Sequence, residues 1–389
     1  MEYQSEMGEQ TPIATVRKTF KYKLLPTPEQ EQTMAFVLRR CRELYNAALQ
    51  ERRDAWQKCH KNITCTHQSA ELPAIKDVRP EYHDVHSQVL QQVLTRLDRA
   101  YQAFFRRVEQ GEKPGYPRFQ SANRYHSFTY KQFGNGATLA NGDLILVKIG
   151  RIAVKWSRPL QDTIKTVTIT HEADGWYCCF SCVDVPVQPL PPTGQATGID
   201  VGLKVFLVTA EAEVVQNPRY YRTVEKALAK AQRRVSRRKK GSKRRRKAVA
   251  LLARKHQKVK RQRRDFQHKT ALTLLRQYDI IYLEDLPVAN LVQNSHLAKS
   301  ISDAGWAQFR IILEGKAAYA GRRVIAVSPA YTTQDCSGCG ERVEKSLSVR
   351  THICPSCGLV LDRDENAARN IQWAGQALQG AVAIAAVMN

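Results

Sequence analysis

Four cysteines near the C-terminal end of the chain have the spacing of metal ligands. Cys336 and Cys339 form one CxxC pair, and Cys354 and Cys357 form a second. The two-residue gap lets both thiolates of a pair face one tetrahedral ion, and the longer stretch between the pairs allows a hairpin that brings them together. This pattern predicts a zinc ribbon at residues 329–361 that holds one structural Zn²⁺.

Acidic residues occur at three places within or beside apolar segments. Asp200 lies within the apolar segment ATGIDVGLKVFLVT, and Glu284 and Asp285 end the apolar segment DIIYLEDL. Asp362 and Asp364 follow the second CxxC pair, where the helical segment DENAARNIQWAG begins. A carboxylate in a buried strand costs free energy unless it is paired or binds a cation. These positions therefore indicate a cation site.

Acidic residues at two strand ends and at one helix start are typical of an RNase H-like nuclease core. In such a core the carboxylates converge on two divalent ions about 3.5–4 Å apart. One ion activates water and the other stabilises the leaving 3′ oxygen. Hard oxygen ligands favour Mg²⁺, with Mn²⁺ as a substitute. We expect Asp200 and Glu284 to be catalytic. The residues leave open which of Asp362 and Asp364 binds metal and which caps the helix, and Asp285 is also a suitable cap.

Positive charge is concentrated in one part of a chain whose net charge is +25. From Arg222 to Arg264 there are 21 lysines or arginines and a single acidic residue, Glu225, so this stretch carries +20 of the total. Apolar residues recur there at helical spacing, and Gly241-Ser242 interrupts them, which predicts a basic helical pair over residues 222–276. The alternative interpretation of this run of positive charge is a solvated face or a disordered tail. Because internal acids are too few to neutralise it, the pair is expected to bind the phosphates of a nucleic acid, through Arg233, Arg234, Arg237, Arg238, Lys239, Lys240, Lys243, Arg244, Arg245, Arg246 and Lys247.

Length and composition predict a multidomain cytoplasmic protein. A chain of 389 residues is long for one core. The polar, acidic start MEYQSEMGEQ resembles no secretory signal, no segment has the roughly 18 apolar residues that cross a membrane, and the ten cysteines suit a reduced compartment. We expect residues 1–14 to be disordered and expect no membrane partner.

The N-terminal half alternates between strand and helix patterns. Residues 15–25 alternate as a strand does, and Thr27, Pro28 and Gln30 then form a capping box that predicts a helix start. A second amphipathic helix is predicted from about His86 to Arg107, followed by short alternating runs typical of an antiparallel sheet or small barrel. The expected architecture is multidomain, α/β and α+β. It consists of a β-barrel at 15–26 and 112–187, a helical insertion at 27–111, a proline-rich linker at 188–195 and the nuclease domain at 196–389.

The order of these motifs resembles the TnpB (OrfB) family of insertion-sequence transposon proteins. The matching segments cover nearly the whole chain: KYKLLPTPEQ, RELYNAAL, VLTRLDRAYQAFFRR, KPGYPRFQS, GIDVGL, the basic pair, LEDL, CSGCG, CPSCG and DRDENAARNI. The resemblance implies an RNA-guided DNA endonuclease related to the type V CRISPR effectors. It also implies that the barrel is of the wedge type, that the insertion recognises nucleic acid and that the nuclease domain is RuvC-like, with the zinc ribbon inserted in it.

Site residues and partners follow from the same resemblance. By position, Asp200, Glu284 and Asp364 match the catalytic, magnesium-binding triad, and the four cysteines match the zinc ligands. The implied partners are a guide RNA made from the transposon end and a double-stranded target DNA with a short adjacent motif. Residues chemically suited to read that motif are Tyr45, Gln88, Gln91, Gln92 and Arg96. Two alternatives stay open at this point: an RNA-independent nuclease of the transposase or resolvase type, and a non-cleaving RNA-guided regulator.

Overall fold

A computed structural model describes residues 14–161, 163–346 and 348–387, with side chains up to residue 381. The chain divides into two compact units, Thr15–Val185 and the part from Pro186 onward, which also includes Ala14. The disorder predicted for residues 1–14 concerns positions that, apart from Ala14, lie outside the described residues.

The first unit is built on a seven-stranded, barrel-like sheet that is nearly closed. Its strand order is β2-β6-β7-β1-β5-β4-β3, and the pairs β2–β6, β6–β7, β1–β5, β5–β4 and β4–β3 are antiparallel. The strand and sheet patterns in the sequence are thereby confirmed. The strands are β1 (Thr15–Leu25), β2 (Ser127–Tyr130), β3 (Ala137–Ala140), β4 (Asp143–Leu146), β5 (Gly150–Lys155), β6 (Thr163–Glu172) and β7 (Gly175–Pro186).

Aromatic rings and small sulfur side chains fill this sheet. The rings of Tyr22 and Trp156 lie 4.7 Å apart, and Phe180 stacks on Trp156 at 6.1 Å. Cys178 and Cys182 are buried beside them, and burial raises the pKa of the Cys178 thiol to about 12. Buried among aromatic rings, this cysteine serves as a small apolar side chain.

Helices fill the sequence between the first two strands. At the start of α1 the Thr27 hydroxyl accepts from the amide of Gln30 at 3.3 Å, and the Gln30 side chain accepts from the Thr27 amide at 3.0 Å. The predicted capping box is therefore confirmed. A ring nitrogen of His86 accepts from the Gln88 amide and caps α4. The helices are α1 (Pro28–Cys59), α2 (Cys65–Ala70), α3 (Leu72–Val78), a 3₁₀ turn (Pro80–Asp84) and α4 (Ser87–Glu109).

The second unit contains a mixed five-stranded sheet in the order β10-β9-β8-β11-β12. Strand β8 is antiparallel to β9, which is antiparallel to β10, whereas β8, β11 and β12 run parallel. Parallel neighbours end at the same edge of a sheet, so acidic residues at the ends of β8 and β11 are brought together. The strands are β8 (Ala196–Val201), β9 (Val205–Thr209), β10 (Val214–Gln216), β11 (Ile280–Glu284) and β12 (Arg323–Val327).

An apolar core joins this sheet to the helices around it. The rings of Phe266 and Phe309 each lie 4.9 Å from Phe206. Of the described helices, none is both long and apolar enough to span a bilayer. The remaining elements are α5 (Tyr220–Ser236), α6 (Lys243–Gln277), α7 (Val288–Leu291), α8 (Ser295–Ala304), α9 (Trp306–Tyr319), a hairpin of β13 (Thr351–Ile353) and β14 (Val360–Asp362), and α10 (Arg363–Val387).

The proline-rich segment 188–195 is held to the second unit by hydrogen bonds. The carboxylate of Asp279 accepts from the backbone amides of Thr193 and Gly194. Its partner Arg322 is buried and donates to the carbonyl oxygens of Leu275, at 3.1 Å, and Pro191. The backbone amide of Thr193, first among several hydrogen bonds, lowers the pKa of Asp279. One buried ion pair thus fixes the start of this unit.

Replacing Arg322 with methionine is expected to destabilise the second unit by about 2 kcal/mol, because it takes the charged donor from two carbonyl oxygens and from Asp279, which keeps its bonds from Thr193 and Gly194. Chemical denaturation followed by circular dichroism would measure the change. The matched control is Arg276→Met, at an exposed position on α6, which is expected to change stability by less than about 1 kcal/mol. Equal effects of the two substitutions would contradict the role assigned to Arg322.

Candidate active site and cysteine ribbon

The ends of two parallel strands bring Asp200 and Glu284 to one edge of the sheet. The register pairs Leu283 of β11 with Ile199 of β8. The next residue on each strand is acidic, so the two carboxylates follow the last paired residues on neighbouring strands. The pattern of apolar strands ending in acids predicted this arrangement.

Two glycines let α10 lie directly on these strands. A Cβ atom at Gly198 of β8 would lie 2.0 Å from the carbonyl oxygen of Ala368, and one at Gly375 of α10 would lie 2.0 Å from the ring of Tyr282. Neither position therefore accommodates a side chain. Because the helix and strands approach so closely, the first turn of α10 carries Asp364 toward the strand ends.

The carboxylates of Glu284 and Asp364 act electrostatically on Asp200. Burial, followed by the nearby charges of Glu284 and Asp364, raises the pKa of Asp200 to about 8. Burial also raises the pKa of Glu284, and a hydrogen bond from the Thr332 hydroxyl partly offsets that effect. Negative charges held together in this way favour a bound cation. Carboxylate oxygens are the ligands that Mg²⁺ prefers, so the residues fit this ion.

The structure separates the roles of the acidic neighbours. Asp362 accepts from the backbone amide of Asp364 at 2.8 Å, as a helix cap does. The Asp364 carboxylate lies near enough to help raise the pKa of Asp200, and it accepts from Arg350 at 3.3 Å and from Arg363 at 3.0 Å. Two guanidinium groups thus bind the carboxylate that the family resemblance assigns to a metal.

Asp285, the remaining acidic neighbour, is exposed and forms an ion pair with Arg310 of α9. It therefore lies at the same edge of the sheet as Glu284 without sharing its environment.

The four cysteines meet at one point. Their sulfur atoms all lie within 4.8 Å of one another, with 3.6 Å between Cys336 and Cys357 and 3.5 Å between Cys339 and Cys354. Tetrahedral Zn–S bonds of about 2.3 Å place sulfur atoms about 3.8 Å apart, so this group fits a zinc ion. In the part of the chain that the structure describes, no other set of three or more His, Cys, Asp or Glu residues is as tightly gathered.

Hydrogen bonds join the cysteine ribbon to the helix that carries Asp364. The Asn366 side chain accepts from the Ser337 amide at 2.9 Å and donates to the Asp335 carbonyl at 2.8 Å. Asn370, one turn later, donates to the carbonyl of Thr332 at 2.8 Å. The ribbon therefore supports both the start of α10 and the residue that contacts Glu284.

The basic helical pair exists, with most of its predicted contact residues exposed. Nine of the eleven are exposed, and Arg238 and Arg245 are half-buried. Arg245 donates to the carbonyls of Val235, at 2.8 Å, and Arg238, at 3.1 Å, which end α5. Its guanidinium therefore stabilises the turn between the helices, a role that the sequence does not distinguish from phosphate binding.

Several supporting residues have no clear sequence signal. Asp303 of α8 is buried and accepts from the amides of Tyr221 and Arg222 at the start of α5, and Arg263 of α6 donates to it at 3.0 Å. Local capping patterns cannot reveal a cap that comes from a distant helix. Thr332 and Arg350 were missed for the same reason, since only the folded ribbon brings them to the carboxylates.

Three of the five residues considered for reading a short DNA motif are buried or have structural partners. Tyr45 is buried. Arg96 donates to the Ser127 carbonyl at 2.9 Å and lies over the ring of Tyr125. Gln88 accepts from the Gln132 amide at 3.1 Å. Of the five candidates, Gln91 is exposed and Gln92 is half-buried.

Three family models match this chain. A model described as "Probable transposase" matches residues 180–295, one described as "Cas12f1-like, TNB domain" matches 306–371, and one described as "Helix-turn-helix domain" matches 15–61. The last description differs from the structure, in which this region is strand β1 followed by the long helix α1.

Two curated proteins are similar over most of their length. One, named "Putative RNA-guided DNA endonuclease", is from Streptomyces pristinaespiralis and is 36% identical over 93% of this chain and 90% of its own. The other, InsQ of Escherichia coli strain K12, has the same description and is 30% identical over 93% of each chain. A cryo-EM structure of a Cas12f1–sgRNA–target DNA complex has a similar fold, with a TM-score of 0.56, 14% identity and coverage of 92% of this chain and 99% of that one.

The barrel-like sheet, the mixed sheet with its acidic residues and the cysteine ribbon give the chain a fold that resembles those of compact Cas12f effectors. By its similarity to the two curated proteins, the chain belongs to the TnpB (OrfB) family of insertion-sequence transposon proteins.

Proposed function

We propose that this protein is a transposon-encoded, RNA-guided DNA endonuclease. The observation that carries the proposal is the convergence of Asp200, Glu284 and Asp364 from two strands and a helix at one edge of the sheet. Two curated proteins that align with this chain over 90% or more of their own length are named for this activity. The sheet order, with three antiparallel strands followed by two parallel ones, is the arrangement expected of an RNase H-like, RuvC-type domain.

Asp200, Glu284 and Asp364 are the residues that would hold Mg²⁺. When bound, the ions lower the pKa of water and stabilise the leaving oxygen of a phosphodiester. The chain's own residues position the carboxylates: the Thr332 hydroxyl orients Glu284, the Asp362 cap fixes the first turn of α10, and burial restricts water around Asp200. The nuclease therefore needs no nucleophilic side chain.

We assign each part of the chain a role in binding or cutting nucleic acid. The exposed basic helical pair would bind phosphates of a guide RNA and of the target DNA. The barrel at 15–26 and 112–187 and the helices at 27–111 are assigned the wedge and recognition roles, and 196–389 is assigned the nuclease role. Base pairing would read the target sequence, so the protein needs only to grip an A-form heteroduplex. We place this activity in the bacterial cytoplasm.

The proposal is tested by expressing the gene with its native downstream flank and sequencing the nucleic acid that co-purifies. One dominant RNA that spans the 3′ end of the gene, together with Mg²⁺-dependent cleavage of DNA matching it, is the expected result. Folded protein without such an RNA that still cuts DNA would indicate an RNA-independent nuclease. A bound RNA without any cleavage would indicate a regulator.

The cysteine ribbon is proposed to hold one structural zinc ion per chain. Its four sulfur atoms lie within 4.8 Å of one another, as the ligands of one tetrahedral zinc ion do. Cys354→Ser is expected to reduce the zinc content of purified protein from about one ion to well below one and to destabilise the second unit. Metal analysis and thermal unfolding measure both effects. Cys179→Ser, at a half-buried cysteine of β7, is the control and should retain zinc. A fold unchanged by strong chelators would contradict the assignment.

Neighbouring arginines of the basic pair should separate binding from stability. Arg244 is exposed, whereas Arg245 caps the carbonyls of α5. Arg244→Ala is expected to weaken RNA binding and to reduce the slope of log affinity against log salt by up to about one, with stability unchanged. Arg245→Ala is expected to lower stability by about 1 kcal/mol because it removes a charged donor from two carbonyls in the turn between the helices. Salt titrations of RNA binding and denaturation curves of both variants test these expectations. Equal RNA affinities and equal stabilities of the two variants would contradict the separate roles of Arg244 and Arg245.

A further inference from the structure

Tyr331 has an unusual conformation beside the acidic residues. Its φ angle is +62°, a left-handed value that is rare for bulky residues. Its carbonyl accepts from the amides of Gln334, at 2.8 Å, and Asp335, at 2.9 Å, which fix the loop in this shape. The ring is 51% exposed although it is large and aromatic. Strained backbone of this kind is concentrated at functional sites.

An arginine braces one side of the exposed ring. The guanidinium carbon of Arg342 lies 3.5 Å from the centre of the Tyr331 ring, which is stacking distance. Asp335 accepts from Arg342 at 2.9 Å and holds it there. Because this ion pair neutralises the arginine, the assembly presents an aromatic surface rather than a free positive charge. It suits a flat, uncharged ligand group better than a phosphate.

Tyr331 directly precedes a residue that contacts the carboxylate site. Thr332, the next residue, donates its hydroxyl proton to Glu284. Consecutive Cα atoms are about 3.8 Å apart. A phosphodiester bound at the three carboxylates would therefore have its neighbouring nucleotides within reach of the tyrosine.

We propose that Tyr331, braced by Arg342, is a stacking platform for an unpaired nucleobase of the DNA strand being cut. The inference rests on the proposed function for the presence of DNA at the carboxylates. A base in a duplex has both faces covered, whereas an unpaired base offers a face to an aromatic ring and binds it with little sequence preference. Tyr331 is then a positioning residue, which holds the flanking nucleotide so that the scissile phosphate stays at the carboxylates.

The test uses the purified RNA–protein complex and a target strand that carries 2-aminopurine next to the scissile phosphate. Ca²⁺ replaces Mg²⁺ during binding so that the strand is not cut. Tyr331→Gly removes the ring and suits the positive φ angle, so the loop is retained. Tyr331→Phe retains the ring and is the matched control. We expect stacking to quench the fluorescence with wild-type protein and with Tyr331→Phe, and expect the signal to stay high with Tyr331→Gly.

The second measurement is the affinity for DNA and its dependence on salt. Tyr331→Gly should raise the half-saturating concentration of single-stranded DNA about tenfold, with an unchanged salt dependence, because no phosphate contact is lost. Equal quenching by wild-type protein and Tyr331→Gly, or equal half-saturating concentrations, would overturn the inference while leaving the proposed nuclease intact. Wild-type complex that cuts no DNA would instead overturn the proposed function. An altered salt slope would reassign the site to phosphate binding and also overturn the stacking role.

Discussion

Asp200→Asn is expected to abolish DNA cleavage while making the metal-free protein more stable. The substitution removes a ligand for Mg²⁺, and loss of such a group should reduce the cleavage rate by about 10³-fold or more. It also removes one of three neighbouring negative charges, because the half-buried Asp200 lies near Glu284 and Asp364. Since asparagine has nearly the same shape as aspartate, the site loses its repulsion without losing its packing. Functional strain of this kind is commonly relieved at the expense of activity.

The gain in stability should depend on pH. The pKa of Asp200 rises from 3.8 to about 8 on folding. Between these values the folded protein binds more protons than the unfolded chain, so the stability of the wild-type, metal-free protein falls as pH rises. Asparagine does not titrate, so the advantage of the variant should be small near pH 4 and largest near pH 8. Added Mg²⁺ should narrow the difference by stabilising the wild-type protein.

Cleavage assays and thermal unfolding with and without Mg²⁺ would test both parts. Asp285→Asn is the matched control, because Asp285 neighbours Glu284 but is exposed and paired with Arg310. It should keep cleavage and gain no stability. Nucleic-acid binding by Asp200→Asn should stay close to that of wild-type protein. A variant that still cuts DNA, or one that unfolds at a lower temperature than wild-type protein at pH 8, would contradict this account of Asp200.

Much of the fold was predictable because the signals are local. The capping box at Thr27 acts within four residues, strand alternation acts within a strand, and a CxxC pair places both thiolates by its own spacing. The convergence of Asp200 and Glu284 was predictable for a different reason, since apolar strands that end in acids must share an edge when they run parallel. In each case the structure depends on residues that are close together in the sequence.

The supporting contacts were not predictable because they join distant segments. Arg350 reaches Asp364 only after the ribbon folds back on α10, and Asp303 caps a helix that lies about eighty residues earlier in the chain. The residues alone also could not divide the roles of Asp362 and Asp364, since either aspartate can cap a helix. In the structure Asp362 forms the cap, and the direction of its side chain depends on tertiary packing.

Gly198→Ala is expected to disrupt the active site by forcing α10 away from the strand that carries Asp200. The added methyl group would lie 2.0 Å from the carbonyl oxygen of Ala368 and 2.6 Å from the backbone nitrogen of Gln372. Both atoms belong to helix backbone, which cannot rotate aside as a side chain can, so α10 must move outward. Overpacking of this kind costs about 1–3 kcal/mol and sometimes more. Moving the helix also moves Asp364 away from Asp200, so cleavage should be lost even where the protein stays folded.

Glycines on α10 itself provide the comparison that isolates this contact. Gly375→Ala should resemble Gly198→Ala, because its methyl group would lie 2.0 Å from the Tyr282 ring, whereas nothing lies within 4 Å of a methyl group at Gly380. In an exposed helix alanine is more favourable than glycine by about 0.8–1 kcal/mol, so Gly380→Ala should stabilise the protein and preserve cleavage. Thermal unfolding and cleavage rates of the three variants separate helix propensity from helix–sheet contact. If Gly198→Ala unfolded and cut DNA as wild-type protein does, the close approach of α10 to β8 could not be what places Asp364.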